Sequence, residues 1–127
     1  MVLIPEEKQN VAVLGASPKP ERYSNQAVRL LARFDYRPLP VNPAFDEIEG
    51  LTCFPNLAAI GEPVHTITIY LRSTRSTPLI DQILAANPQR IIMNPGAENE
   101  DLAAAASGAG IEVVEGCTLV MLRTRLF

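Results

Sequence analysis

The chain has 127 residues, enough for one compact domain with a core of its own. Hydrophobic residues make up 47% of it and charged residues 20%, which excludes a chain too polar to offset its ordering entropy. A net charge of -3 gives no global field for a polyanion, so nucleic acid is not an expected partner, although a local basic cluster can still take a phosphate.

The opening MVLIPEEKQN lacks the basic region and apolar run of a secretory signal. No apolar run reaches the roughly 18 to 20 residues that a bilayer span needs, so a soluble cytoplasmic protein with no membrane partner is expected. Cys53 and Cys117 are far apart and form no CxxC pair, which suggests reduced thiols rather than a metal site or a disulfide framework.

The first element is Val11–Leu14 (VAVL), a continuous apolar run that stops at Gly15, the pattern of a parallel strand buried on both faces. Ser24 or Asn25 then caps a helix with apolar positions Ala27, Val28, Leu30, Leu31 and Phe34, and with Arg29 and Arg33 on its wet face. Arg37–Val41 (RPLPV) is a second strand, and Pro38 and Pro40 argue against a central place because each lacks a ladder donor. An irregular connection, Asn42–Gly50, leads to Leu51–Phe54 and a helical turn near Asn56.

Val64–Leu71 (VHTITIYL) is a β-branched third strand, and Pro78–Ala86 has helical spacing with an earlier start in STRST left open. Arg90–Met93 is the fourth strand. An alanine-rich helix, Glu98–Ser107, is stopped by Gly108 and Gly110, and Ile111–Val114 and a helix over Thr118–Arg123 close the chain. Short strands alternating with helices predict one α/β domain over residues 1–127. Its architecture is a three-layer Rossmann-type fold with a mostly parallel five-stranded sheet.

In such a sheet ligands bind beyond the carboxyl ends of the strands, where the strand order reverses. Those ends carry Gly15-Ala16-Ser17-Pro18-Lys19, Asn42-Pro43, Arg72-Ser73-Thr74-Arg75, Asn94-Pro95-Gly96 and Glu115-Gly116-Cys117. Gly15 permits a sharp turn and close phosphate approach, Ser17 adds a hydroxyl, and Lys19, Arg22, Arg72 and Arg75 offer positive charge. A branched residue at position 15 is expected to block the phosphate and spare the fold. The segment GASPKPER lacks the later glycines of GxGxxG, and Asn42-Pro43 stands where a ribose-binding carboxylate belongs, which weakens a nicotinamide dinucleotide reading. GxxxxGK[ST] is absent, so nucleotide hydrolysis has no motif behind it.

The succession VAVLGASPKPERYSN, PVNPAFDEIEGLTCFPNLAAI and NPGAENEDLAAAASGAGIEVVEGCTLVML resembles the CoA-binding protein family, whose domain is similar to the CoA-binding part of the succinyl-CoA synthetase alpha subunit. The resemblance runs from about Val11 to Leu122. It implies coenzyme A or an acyl-CoA as the small-molecule ligand. Gly15, Ala16, Ser17 and Pro18, with Lys19 beside them, would face the phosphates, and Val41, Asn42 and Pro43 would flank the adenine nucleotide. Tyr70, Leu71 and Arg72 would line the opening, and Asn94, Pro95 and Gly96 would lie along the pantetheine path. Cys117, because it follows the fifth strand at the carboxyl edge, is expected near the end of that path. At Ala44 the chain departs from the NPK of many relatives and lacks their lysine.

Each of these residues also has a plainer reading. Asn42-Pro43 and Asn94-Pro95-Gly96 serve equally as turn punctuation and Cys117 as a small hydrophobe, whereas the place of Gly15 at the end of the first strand favours a ligand role over a plain turn. His65, at the start of the third strand, sits away from the ligand edge and reads as structural. Glu98, Glu100 and Asp101 read as first-turn acids complementing a helix dipole. No nucleophile, base and orienter stand together in the sequence, so binding without catalysis is expected. A partner chain with ATP-dependent ligase chemistry remains an alternative, as does a nicotinamide dinucleotide ligand.

Overall fold

The protein's computed structural model describes residues 8–127. Residues 1–7, on which the reading of the opening segment largely rests, lie outside them. Five parallel strands form the main sheet: β1 (Asn10–Leu14), β2 (Arg37–Val41), β5 (Thr66–Ile69), β6 (Arg90–Met93) and β7 (Glu112–Glu115). Between β2 and β5 lies a short hairpin, β3 (Glu47–Ile48) and β4 (Leu51–Thr52). The helices are α1 (Tyr23–Arg33), α2 (Ser73–Ser76), α3 (Ile80–Ala86), α4 (Glu100–Gly108) and α5 (Thr118–Arg123), with 3-10 turns at Ala58–Ile60 and Thr77–Leu79.

The strand order is β2-β1-β5-β6-β7. Alternation along β1 divides the core between the two faces. Val11 and Val13 pack with Val28 and Leu31 of α1 and Leu122 of α5, and Ala12 and Leu14 pack with Ile83 of α3 and Leu102 and Ala106 of α4. β5 is buried along its whole length and β1 and β6 beyond their first residues, Asn10 and Arg90, as strands require when helices cover both faces. The all-parallel, helix-covered sheet is the architecture expected from the βα rhythm.

β2 is an edge strand, and its prolines account for that. The Pro40 carbonyl accepts from Phe54 N–H at 2.9 Å on the side away from β1, so the donor that Pro40 lacks lies on that outer side, where no ladder is lost.

Several element bounds differ from expectation. α1 begins at Tyr23 after Arg22, so Ser24 and Asn25 are buried residues of its first turn and not its cap. α4 begins at Glu100, and Asn99 caps it by accepting from Leu102 N–H at 3.1 Å. Glu98 is therefore outside the helix, and only Glu100 and Asp101 are first-turn acids. The third strand, Thr66–Ile69, is shorter than Val64–Leu71 and leaves His65 and Tyr70 just outside its ends, and the helical stretch does start in STRST. The β3–β4 hairpin turns on Glu49 and Gly50, both at positive φ (52 and 72), within the segment read as irregular.

Candidate functional site

The strand order reverses between β1 and β5, since the chain passes from β1 to β2 on one side and returns to β5 on the other. Gly15 ends β1 at φ +87, a conformation that glycine adopts without strain. Its N–H and that of Ala16 both donate to the Val41 carbonyl, at 3.1 and 3.2 Å, so these two donors are committed to tying the first loop to β2. The loop is tightened further on: Ser17 Oγ accepts from Lys19 N–H at 3.1 Å, and Asn25 Nδ2 donates to the Ser17 carbonyl at 3.0 Å.

Pro18, Lys19 and Pro20 then lead to α1, whose start has no side-chain cap and no acid in its first turn. Orphan N–H groups at the positive end of a helix dipole make such a start receptive to an anion. Lys19 and Arg22 are exposed beside it. Glu49, on the hairpin, reaches Asn25 Nδ2 at 3.3 Å, and Arg29 faces the same carboxylate at 3.9 Å.

Asn42 holds the second loop. Its Nδ2 donates to the Ala16 carbonyl at 2.8 Å, its Oδ1 accepts from Ala44 N–H at 2.9 Å, and its backbone N–H donates to the Phe54 carbonyl at 2.9 Å. One side chain thus locks the loops after β1 and β2 together. Pro43 and Ala44 are left exposed.

These ends enclose a cleft of about 350 Å³. Gly15, Val41, Asn42, Pro43, Tyr70 and Leu71, all expected site residues, line it. So do Pro55, Asn56, Arg75, Leu79 and Gln82. Of these, only Arg75 follows directly from reading strand ends. Pro55 and Asn56 arrive because Phe54 bridges to Val41, and Leu79 and Gln82 because the turn after α2 and the start of α3 fold back over β5. Arg72 is exposed at the start of α2 and is not among the lining residues.

Asn94 follows β6 and is 2% exposed. Its Nδ2 donates to Thr68 Oγ1 at 2.7 Å and to the Ile69 carbonyl at 2.9 Å, and its Oδ1 accepts from Thr118 N–H at 2.9 Å. The Thr68 and Thr118 hydroxyls bond each other at 2.7 Å. Asn94 therefore fastens β5, β6 and the start of α5. Gly96 turns at φ +91 and gives its N–H to the Glu98 carboxylate at 2.8 Å, while Pro95 is exposed.

Tyr70 extends toward this cluster. Its hydroxyl oxygen is buried and, among the described residues, has no hydrogen-bond partner, although the Thr68 and Thr118 hydroxyls, which bond each other, are its neighbours. Burial pushes the phenol up to about 12; the Thr118 hydroxyl opposes the shift, the Cys117 thiol adds to it, and the Thr68 hydroxyl opposes it. Cys117, half-buried, immediately precedes α5. Cys53 is buried near the second loop, its Sγ 3.5 Å from the Asn42 carbonyl, and desolvation raises its pKa.

His65 sits at the opposite, amino end of β5, with Nδ1 2.8 Å from Thr66 Oγ1. Burial, and then the Arg90 charge, lower its pKa. It takes no part in the cleft.

A family model described as a CoA binding domain matches residues 9–123. The Bacillus subtilis protein YneT is 26% identical over 96 residues, 76% of this chain and 71% of that protein. A solved structure from Thermus thermophilus superposes with a TM-score of 0.87 at 30% identity, covering 94% of this chain and 91% of that one. An acetyl-coenzyme A synthetase from Ca. Korarchaeum cryptofilum, solved with phosphate and ADP, aligns with a TM-score of 0.73 at 26% identity. The match covers 85% of this chain and 25% of the synthetase.

Proposed function

This chain belongs to the CoA-binding domain family, and from that premise we propose that it binds coenzyme A or an acyl-CoA across the carboxyl edge of its sheet, without catalysis of its own. The observation that carries this reading is the pairing of a cleft at the reversal of strand order with an uncapped helix start beside it. An adenine nucleotide needs a mostly apolar slot with a few polar groups, which Val41, Pro43, Leu71 and Leu79 with Asn56 and Gln82 supply. A diphosphate needs donors and positive charge, which Ser17, Lys19 and the start of α1 supply.

The pantetheine arm then runs past Tyr70 and Leu71 toward Asn94, Pro95 and Gly96, and ends near Cys117. Asn42 and Asn94 act by holding the loops, since their amides are spent within the fold. Gly15 and Ala16 act in the same way through Val41. What supports the reading without catalysis is the make-up of the cleft lining, in which, among the described residues, Arg75 is the one charged side chain.

Thermal unfolding with CoA, acetyl-CoA, NAD and NADP at matched concentrations tests the proposal. A ligand at a hundredfold excess over its Kd adds about 2.7 kcal/mol of stability by mass action. CoA or acetyl-CoA should raise the midpoint and NAD should not. Equal stabilisation by NAD would replace this reading with a nicotinamide dinucleotide one.

The similarity to about a quarter of an acetyl-coenzyme A synthetase favours a second reading, in which the chain is the non-catalytic part of an acyl-CoA ligase complex. Co-purification with an ATP-dependent ligase subunit, and CoA-dependent ATP turnover by the pair alone, would favour it.

A further inference from the structure

The cleft at the strand reversal holds a single cation. Among the described residues, Arg75 is the only charged one that lines it, and none of the lining residues is a carboxylate. Among the described residues, Arg75 forms no ion pair, unlike Arg29 and Arg37, which are held by Glu49 and Glu62. The end of β2 brings no charge to the cleft, because the residue after Pro43 is Ala44. Ser17 and Lys19 are not among the lining residues, so the cleft and the loop before α1 offer two separate places for negative charge.

The backbone that presents Arg75 is fixed by its neighbours. Ser76 is fully buried, and its hydroxyl accepts from Asn99 Nδ2 at 2.8 Å. The same amide donates to Thr77 Oγ1 at 3.0 Å, while Asn99 Oδ1 caps α4 through Leu102 N–H. The Arg72 carbonyl accepts from Arg75 N–H at 2.9 Å and from Ser76 N–H at 3.0 Å. Arg75 therefore projects from a turn tied to α4, and its guanidinium costs little backbone ordering to engage a ligand.

A free guanidinium in an otherwise uncharged cleft favours a ligand group with a matching negative charge and two or more acceptor oxygens. We propose that Arg75 is a specificity residue for a second phosphate, carried on the ribose of the bound nucleotide and separate from the diphosphate at the start of α1. The inference rests on the coenzyme A reading and deepens it: the cleft selects a ribose-phosphorylated adenine nucleotide over its dephosphorylated form. Arg72, exposed and outside the cleft lining, has no part in this selection.

Calorimetric titration of CoA and of dephospho-CoA, which lacks only the ribose phosphate, tests it on the full chain and on its Arg75→Gln, Arg75→Lys and Arg72→Gln variants. The unaltered chain should prefer CoA by about tenfold or more, the worth of a hydrogen-bonded charge pair. Arg75→Gln should erase that preference by weakening CoA alone, Arg75→Lys should recover part of it, and Arg72→Gln should retain it. If the unaltered chain binds both ligands equally, or Arg75→Gln keeps the preference, or Arg72→Gln loses it, the role of Arg75 is overturned and the coenzyme A reading stands. If neither ligand binds to the unaltered chain, both fall.

Discussion

A Cβ on Gly15 would stand 2.8 Å from Leu71 Cδ2 and 3.0 Å from its Cγ, so the loop after β1 and the residues after β5 interlock beside the cleft. Gly15→Ala should therefore destabilise the chain in two ways, through the positive φ of +87 and through displacement of Leu71. The backbone part alone is about 1–3 kcal/mol. Adding Leu71→Ala relieves the contact but not the φ cost, so urea unfolding of Gly15→Ala should show partial coupling with Leu71→Ala in a double-mutant cycle. Simple additivity would mean that the two residues do not meet. For the same reason, Gly15→Val is expected to harm the fold as well as any ligand, which corrects the expectation from sequence that only binding would suffer.

Replacing Asn94 by Ala removes both donors and the acceptor of a 2%-exposed side chain and leaves Thr118 N–H without its partner. The loss should be about 1–3 kcal/mol for each buried group left unsatisfied. Asn94→Asp should be at least as harmful, because it sets a second acceptor against the Ile69 carbonyl. A denaturation midpoint unchanged in either variant would show that water replaces the side chain without cost.

Tyr70→Phe should be neutral or slightly stabilising near neutral pH, since it removes a buried hydroxyl that has no hydrogen-bond partner. Its effect grows in alkali. The folded phenol is raised from 10.0 to about 12, so the native state keeps a proton that the unfolded chain gives up. Stability present below pH 10 is then lost as pH rises toward 12, by about 2–3 kcal/mol in full. Unfolding measured at about pH 8 and about pH 11.5 should show a smaller alkaline loss in Tyr70→Phe than in the unaltered chain. Equal losses would remove Tyr70 from the alkaline transition.

The two thiols should differ in reactivity. Cys53 is 5% exposed and its pKa is raised by burial, whereas Cys117 is half-buried at the carboxyl edge of the sheet. With CoA disulfide, the Cys117 thiolate attacks one sulfur, forms a mixed disulfide and releases CoA as its thiolate. Peptide mapping should find the adduct on Cys117 and little on Cys53. An adduct on Cys53 alone, or none, would leave Cys117 as a packing residue.

Much of the framework was legible because it depends on neighbours in sequence. The bounds of β2, β6 and α5 match their sequence readings, and the prolines of RPLPV pointed away from a central strand, consistent with the edge place that β2 takes. The hairpin was not legible, because a Glu49-Gly50 turn lacks the Asn-Gly or Asp-Gly that marks this geometry most clearly. The α4 cap could have been found, since Asn99 directly precedes the acids Glu100 and Asp101 and suits the cap position better than Glu98.

Periodicity, glycine and proline placement and the order of strand-end motifs belong to the sequence by itself, and they determined an α/β sheet, its carboxyl edge and the family resemblance. Tertiary structure alone decided which polar groups that edge has left to offer. The Gly15 and Ala16 donors are spent on Val41, the Asn42 amide on a carbonyl 26 positions away, and Thr68 on a hydroxyl 50 positions away. Arg75 reaches the cleft while Arg72 does not. A residue's type states what it can bond, but its partners are set by strands and loops that meet only when the chain closes, and no local pattern carries that distance.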